Sequence, residues 1–333
     1  MYSHLYGSFF MKENPQGLFL PNDVFLSEKE IEMKQLIKGE AQMLTDMPLV
    51  RDFTYWGERF EKRQEQYKET DPRKDHVTIK FTGDPIINFM GDLHIGGPDT
   101  DYRRINNEIE IISKTPNSYL MVMGDPVDGL FFNPGQFEQV EQAPEQFKYI
   151  NSIFTKLGKE KKLLIGWAGD HDKWASKSGC DPYEEFSQRY GAYYMHGVGY
   201  VTLLVGETEY KLIGAHRLPG SSIYNNSHPE MRLSKDIQGA DIYVGCHTHR
   251  KGYVQQEIQQ FGGDSLLVNF ISLGPYKATD DYSRKIGYPS KTDNGMYGCA
   301  VKLYEKQKNI RYYSSILEGN GARLDKIRLG ERP

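Results

Sequence analysis

Five short apolar runs, each ending in aspartate or histidine, limit what this chain can fold into more than any other feature of it. Ile86-Ile-Asn-Phe-Met90 runs into Gly91-Asp92-Leu93-His94, and Tyr119-Leu-Met-Val-Met123 into Gly124-Asp125-Pro126-Val127-Asp128. Leu163-Leu-Ile-Gly-Trp-Ala168 leads to Gly169-Asp170-His171-Asp172, Leu212-Ile-Gly-Ala215 to His216, and Ile242-Tyr-Val-Gly-Cys246 to His247-Thr248-His249. A short apolar run stopped by Gly and polar residues reads as a buried strand entering a loop, and in α/β folds ligands gather at the carboxyl ends of such strands. One such histidine is commonly a satisfied core residue. Five ends offering only carboxylate and imidazole point to a shared ligand, and that donor mix suits divalent transition metals.

The order of these motifs resembles the calcineurin-like metallophosphoesterases, nearer the phosphodiesterase and nuclease members than the phosphoprotein phosphatases. The resemblance spans residues 91 to 249. It implies a four-layer α/β/β/α sandwich holding two divalent ions, manganese first, with iron, zinc, nickel or magnesium as alternatives. Asp92, His94, Asp125 and His249 would hold one ion; Asp125 as a bridge, Asp170, His216 and His247 would hold the other. Ions about 3.5 Å apart can share a hydroxide and clamp a phosphoryl group for in-line attack. His171 would be the general acid that protonates the leaving oxygen, with Asp128 as its orienting carboxylate.

Two departures from the family pattern carry weight. Asp170 stands where the family has Asn, which removes an N–H donor and leaves an acceptor-only side chain with one more negative charge. Metal should bind at least as tightly and an anionic substrate less well. Cys246 is inserted between Gly245 and His247. Gly129 and Ala168 occupy positions where the phosphoprotein phosphatases carry clamping arginines, which favours a singly charged phosphodiester over a dianionic monoester. Lys173, Trp174, Arg217 and Arg250 are the candidate substrate contacts, with Lys251, Tyr224 and Asn225 near them; Lys173-Trp174 pairs a phosphate-holding ammonium with an indole for stacking.

Along the rest of the chain, residues 1–75 read as an irregular and helical extension. Ser27-Glu-Lys-Glu30 fits a capping box before Met33, Leu36, Ile37, Ala41 and Leu44 at helical spacing, and a second helix carries Phe53, Trp56 and Phe60 up to Asp71-Pro72. Residues 76–318 form the catalytic domain, where strands alternate with amphipathic helices through Ile105, Ile109 and Ile112 and through Phe147, Ile150, Phe154 and Leu157, the latter stopped at Gly158. The half after Tyr200 is strand-rich with one helix near Pro229–Lys235. Residues 319–333 read as a mildly basic solvated tail.

Composition removes several classes. The formal charge is −4, from 41 Lys+Arg against 45 Asp+Glu, so polyanion binding needs a local patch. Three widely spaced cysteines give neither a disulfide framework nor a zinc ribbon, and no apolar run reaches membrane-spanning length. Together with the lack of a signal-peptide pattern, this leads to a cytoplasmic protein without a membrane partner. The leading function is a two-metal phosphodiesterase acting on DNA, RNA or a nucleotide. The alternatives are a catalytically weakened metal-binding module, docking or self-associating through its N-terminal helices, and a phosphomonoesterase.

Overall fold

The computed structural model describes residues 52–69, 76–129, 137–172, 181–259 and 262–330. The chain divides into two compact units, Met1–Glu69 and Thr70–Pro333. In the first, the predicted second helix is present as α1 (Phe53–Glu69), with the Trp56 and Phe60 rings 6.3 Å apart. The predicted helix after Ser27 lies outside the described residues. No described helix is long and apolar enough to cross a membrane.

The second unit is built on two six-stranded sheets. One sheet holds β2 (Ile86–Met90), β3 (Ser118–Val122), β4 (Leu163–Trp167) and β5 (Tyr193–Met195) in parallel, with β11 (Cys299–Leu303) and β12 (Ile310–Tyr313) added antiparallel beyond β2. The other runs β1 (His76–Phe81), β6 (Gly199–Val205), β7 (Thr208–Gly214), β8 (Ile242–Gly245), β10 (Ser265–Ser272) and β9 (Gly252–Gln259). Ile87, Phe89, Met121 and Ile165 from the first sheet share one buried cluster with Val201, Leu203, Leu212 and Val244 from the second. The sheets are therefore packed face to face. Every residue of β2 is buried because both of its faces are covered.

Helices α2 (Tyr102–Lys114), α3 (Ala143–Lys159) and α4 (Pro182–Arg189) cover the outer face of the first sheet, where Met90, Leu120 and Val122 meet Ile105, Ile109, Ile112, Ile150 and Phe154. On the second sheet α5 (His228–Asp236) seats Leu233 against Ile213, Tyr243 and Phe270. A short helix, α6 (Asp281–Lys285), precedes β11. The layers are α/β/β/α, in agreement with what the family resemblance implies.

Two local readings differ. Gly158 does not stop α3, which continues to Lys159; a Cβ there would lie 2.4 Å from that of Tyr190, so this glycine serves helix packing. The chain after residue 318 is not a solvated tail: α7 (Ile316–Arg328) docks on the sheet, Asn320 and Arg323 are buried, and Arg323 donates to the carbonyls of Pro116 and Asn117. Asn320 completes a buried polar set by donating to Asn88 Oδ1 and accepting from Ser118 Oγ. A domain boundary at 318 would cut through this helix.

Candidate metal centre

All five strand ends meet at one rim. Asp92 and His94 follow β2, Asp125 and Asp128 follow β3, and Asp170 and His171 follow β4; His216 follows β7, and His247 and His249 follow β8. The two sheets thus contribute three loops and two loops. Backbone hydrogen bonds join them: Asp92 N–H to Gly124 O, His94 N–H to Asp125 O, and Cys246 N–H to His216 O. Asp92, His94, Asp125, His247 and His249 all adopt positive φ, between 46° and 66°. That conformation costs a non-glycine residue energy and persists where surrounding structure enforces it, which is a property of functional loops. Gly169 permits the crowding, since a Cβ on it would fall 2.1 Å from Asp125 Oδ1.

Two sets of donors result. In the first, His94 Nε2 lies 3.0 Å from His249 Nε2, and Asp92 Oδ1 is 3.5 Å from His249 Nε2 and 3.8 Å from His94 Nε2. In the second, Asp125 Oδ2 is 3.1 Å from His216 Nε2, with His247 completing the group. The sets adjoin, because ligand atoms of Asp92 and His216 also come within 4.8 Å of each other. Asp170 stands beside the second set, its Oδ2 3.4 Å from His247 Nδ1.

Tautomers follow from fixed acceptors. His94 Nδ1–H donates to Asp128 Oδ1 (3.0 Å) and His216 Nδ1–H to the Met123 carbonyl (2.9 Å). Each imidazole then turns its Nε2 into the centre. His216 Nε2 and Asp92 Oδ1 are buried without any hydrogen-bond partner. A buried polar atom left unmatched is costly, and each of these lies in one donor set, Asp92 Oδ1 beside His94 and His249 and His216 Nε2 beside Asp125, so the residues present fit divalent cations.

Burial opposes ionisation of Asp92, but the imidazoles of His249, His216 and His94 outweigh it and hold the carboxyl well below the usual range. Asp125 is likewise brought down to about 2, burial being overcome by His216 and then by His171 and His94. His94 falls to about 4 through burial and the nearby Lys277 ammonium. At neutral pH these three donors are already deprotonated and ready for metal.

Several expected contacts take another form. The Asp128 carboxylate orients His94 and accepts from Lys277 Nζ at 2.7 Å; it is 4.0 Å from His171 Nδ1, which instead hydrogen-bonds the Asp128 backbone carbonyl. Asp125 Oδ1 accepts the His171 N–H at 2.8 Å, so only Oδ2 is turned to the metal ligands, and a bridge through Asp125 would use that single oxygen. Asp170 is paired with Arg217 at 3.2 Å, which offsets its charge. Cys246 is part of the core between the sheets; its thiol, pushed up to about 12 by burial, donates to the Met123 carbonyl and lies 3.1 Å from His216 Nδ1.

Of the candidate substrate contacts, Arg250 borders a cleft beside His249, while Lys173 and Trp174 fall outside the described residues. Lys251 Nζ is held by the carbonyls of Met296 and Ser314, Tyr224 is exposed, and Asn225 Oδ1 accepts the Ser227 N–H. Lys277 was not foreseen. It lies in a loop far along the chain from every motif, with only 5% of its side chain accessible between Asp128 and Asp280.

No family model matches the sequence, and no curated protein matches it. Among solved structures, the calcineurin-like phosphoesterase YfkN from Bacillus subtilis aligns at 14% identity and TM-score 0.35, over 74% of this chain and 97% of that one. A metallophosphoesterase from Sphaerobacter thermophilus gives 12% and 0.33, over 74% and 95%. Vps29 from Chaetomium thermophilum gives 11% and 0.33, over 68% and 94%. At identities and TM-scores this low, the chemistry is read from the side chains themselves.

Proposed function

We propose that this chain is a two-metal phosphodiesterase acting on DNA, RNA or a nucleotide in the cytoplasm, with manganese as its metal. The observation that carries the reading is the pair of buried orphan atoms, Asp92 Oδ1 and His216 Nε2, each within a donor set of carboxylate and imidazole side chains. When bound, two divalent ions polarise a phosphoryl oxygen and make water acidic enough to attack phosphorus.

The chain's own residues do the rest. Asp92, Asp125, Asp170, His94, His216, His247 and His249 hold the ions. His171 has its Nδ1–H committed to the Asp128 carbonyl, so the proton it can transfer sits on Nε2, from which it protonates the departing oxygen. Asp128 and Lys277 lock His94. Gly129, at φ 56°, and Ala168 offer no cationic clamp, and Arg217 is engaged by Asp170, which supports a phosphodiester over a monoester.

The test is manganese-dependent hydrolysis of bis-nitrophenyl phosphate, compared with nitrophenyl phosphate. Turnover of the diester supports the reading. A protein that binds two ions, yet in both wild-type and Asp170→Asn forms leaves the diester intact, refutes it. The second reading, a metal-binding module without turnover, draws on the Asp170–Arg217 pair and would be favoured by that result.

A further inference from the structure

A cleft of about 310 Å³ opens beside the first donor set and shares His249 with it. Its other walls include Ile223, Asn226, Arg250, Lys251 and Lys291, and among the described residues no carboxylate lines it. The cations are positioned but not neutralised. Arg250 Nη1 donates to the Ser222 carbonyl at 2.9 Å, and Lys251 Nζ to the carbonyls of Met296 and Ser314. Carbonyls fix Arg250 and Lys251 in place without an ion pair to either, Glu108 and Glu318 acting on Lys251 only as nearby charges, and three like charges around one cleft repel one another until an anion arrives. Lys291 feels this directly: burial and then Arg250 push its pKa down.

We propose that this cleft binds a second backbone phosphate of a single-stranded nucleic acid whose scissile phosphate lies at the metal ligands, making the natural substrate an oligonucleotide rather than an isolated nucleotide. For the scissile step the proposal rests on the phosphodiesterase reading; strand binding does not depend on it. The volume suits a nucleotide-sized group. At the rim Ile223 is 78% exposed, and the next residue, Tyr224, is 93% exposed, offering a ring face on which a base can stack. Arg250 and Lys291 are the phosphate contacts. Lys251, with two of its three N–H donors given to carbonyls, supplies mainly charge. The net charge of −4 is no obstacle, because the attraction is local.

The experiment is fluorescence anisotropy of a labelled oligothymidylate with the full chain in EDTA, so that binding is read without catalysis. Wild type is expected to bind. Thymidine monophosphate at equal phosphate concentration, and oligoglutamate, are expected not to displace the strand. Lys291→Glu and Arg250→Glu should each weaken binding about tenfold and flatten the log-log salt dependence by about 0.7 per lost contact, while Lys291→Arg retains affinity and, with an unchanged melting temperature, certifies the fold. Failure of wild type to bind, displacement by the mononucleotide or by oligoglutamate, or Lys291→Glu binding like wild type would overturn the inference. A separate failure to hydrolyse bis-nitrophenyl phosphate would remove the enzymatic reading and leave this binding result to stand or fall alone.

Discussion

Gly169→Ala is the sharpest test of the site because it removes no ligand and changes no charge. The added Cβ would lie 2.1 Å from Asp125 Oδ1 and 2.3 Å from Asp125 N, where ordinary contacts begin at 3.4 Å. Relief requires movement of roughly 1 Å by the carboxylate or by the loop carrying Asp170 and His171, in a core too dense to absorb it freely. Overpacking of this kind costs about 1–3 kcal/mol in the metal-free protein. Disturbing how a ligand is held typically lowers metal affinity about 10–100-fold. At a metal concentration of ~100 times the wild-type dissociation constant, one site stabilises the wild type by about 2.7 kcal/mol and the variant by only about 0.4–1.4 kcal/mol. The metal-induced rise in Tm should therefore shrink by roughly 3–9 °C. Calorimetric scans with and without manganese read this increment, and Gly321→Ala, whose Cβ would meet nothing within 4 Å, is the control. A Gly169→Ala protein with the full wild-type metal increment would refute the proposed packing of Asp125 against the third loop.

Other outcomes follow from the same geometry. Asp170→Asn should cost little stability, since its partner Arg217 is 66% exposed and such pairs contribute about 0–1 kcal/mol; it should lower KM for a phosphodiester on the order of tenfold by freeing the guanidinium and removing an anion, measured by steady-state kinetics. His171→Ala should slow cleavage of a diester with a poor alkoxide leaving group about 10²–10⁴-fold, and bis-nitrophenyl phosphate far less, because nitrophenolate departs without a proton; equal losses on both substrates would argue against the general-acid role. Lys277→Met removes a cation that helps hold His94 down to about 4, so the His94 pKa should rise, visible by NMR titration of the metal-free protein. Glu230, pushed up to about 8 by burial, binds a proton in the folded state over a range where the unfolded chain has lost it. Its contribution to stability should be lost as pH rises from about 4.5 towards 8, and Glu230→Gln should remove that contribution, read as a change in the pH slope between variant and wild type in urea unfolding.

The strands that end at the site, and the carboxylates and imidazoles their exit loops carry, were legible along the chain. Alternation of apolar runs with ligand loops, at 92, 125, 170, 216 and 247, was sufficient because a buried strand and its exit loop are local patterns. The layered sandwich was what the family resemblance implied; apolar runs such as Ile86–Met90 account only for the strands covered on both faces. Helix α7 was missed because Gly319 and Gly321 weaken its helical pattern and its stability comes from docking Asn320 and Arg323 onto distant residues. Which atom meets which was settled by folding alone. Asp128 turned its carboxylate to His94 and its carbonyl to His171, Lys277 came to Asp128 across 149 residues, Arg217 balanced Asp170, and Lys291 joined Arg250 at a common cleft. Pairings of this kind depend on side-chain direction and on charges brought together from separate loops, and no spacing along the chain encodes either.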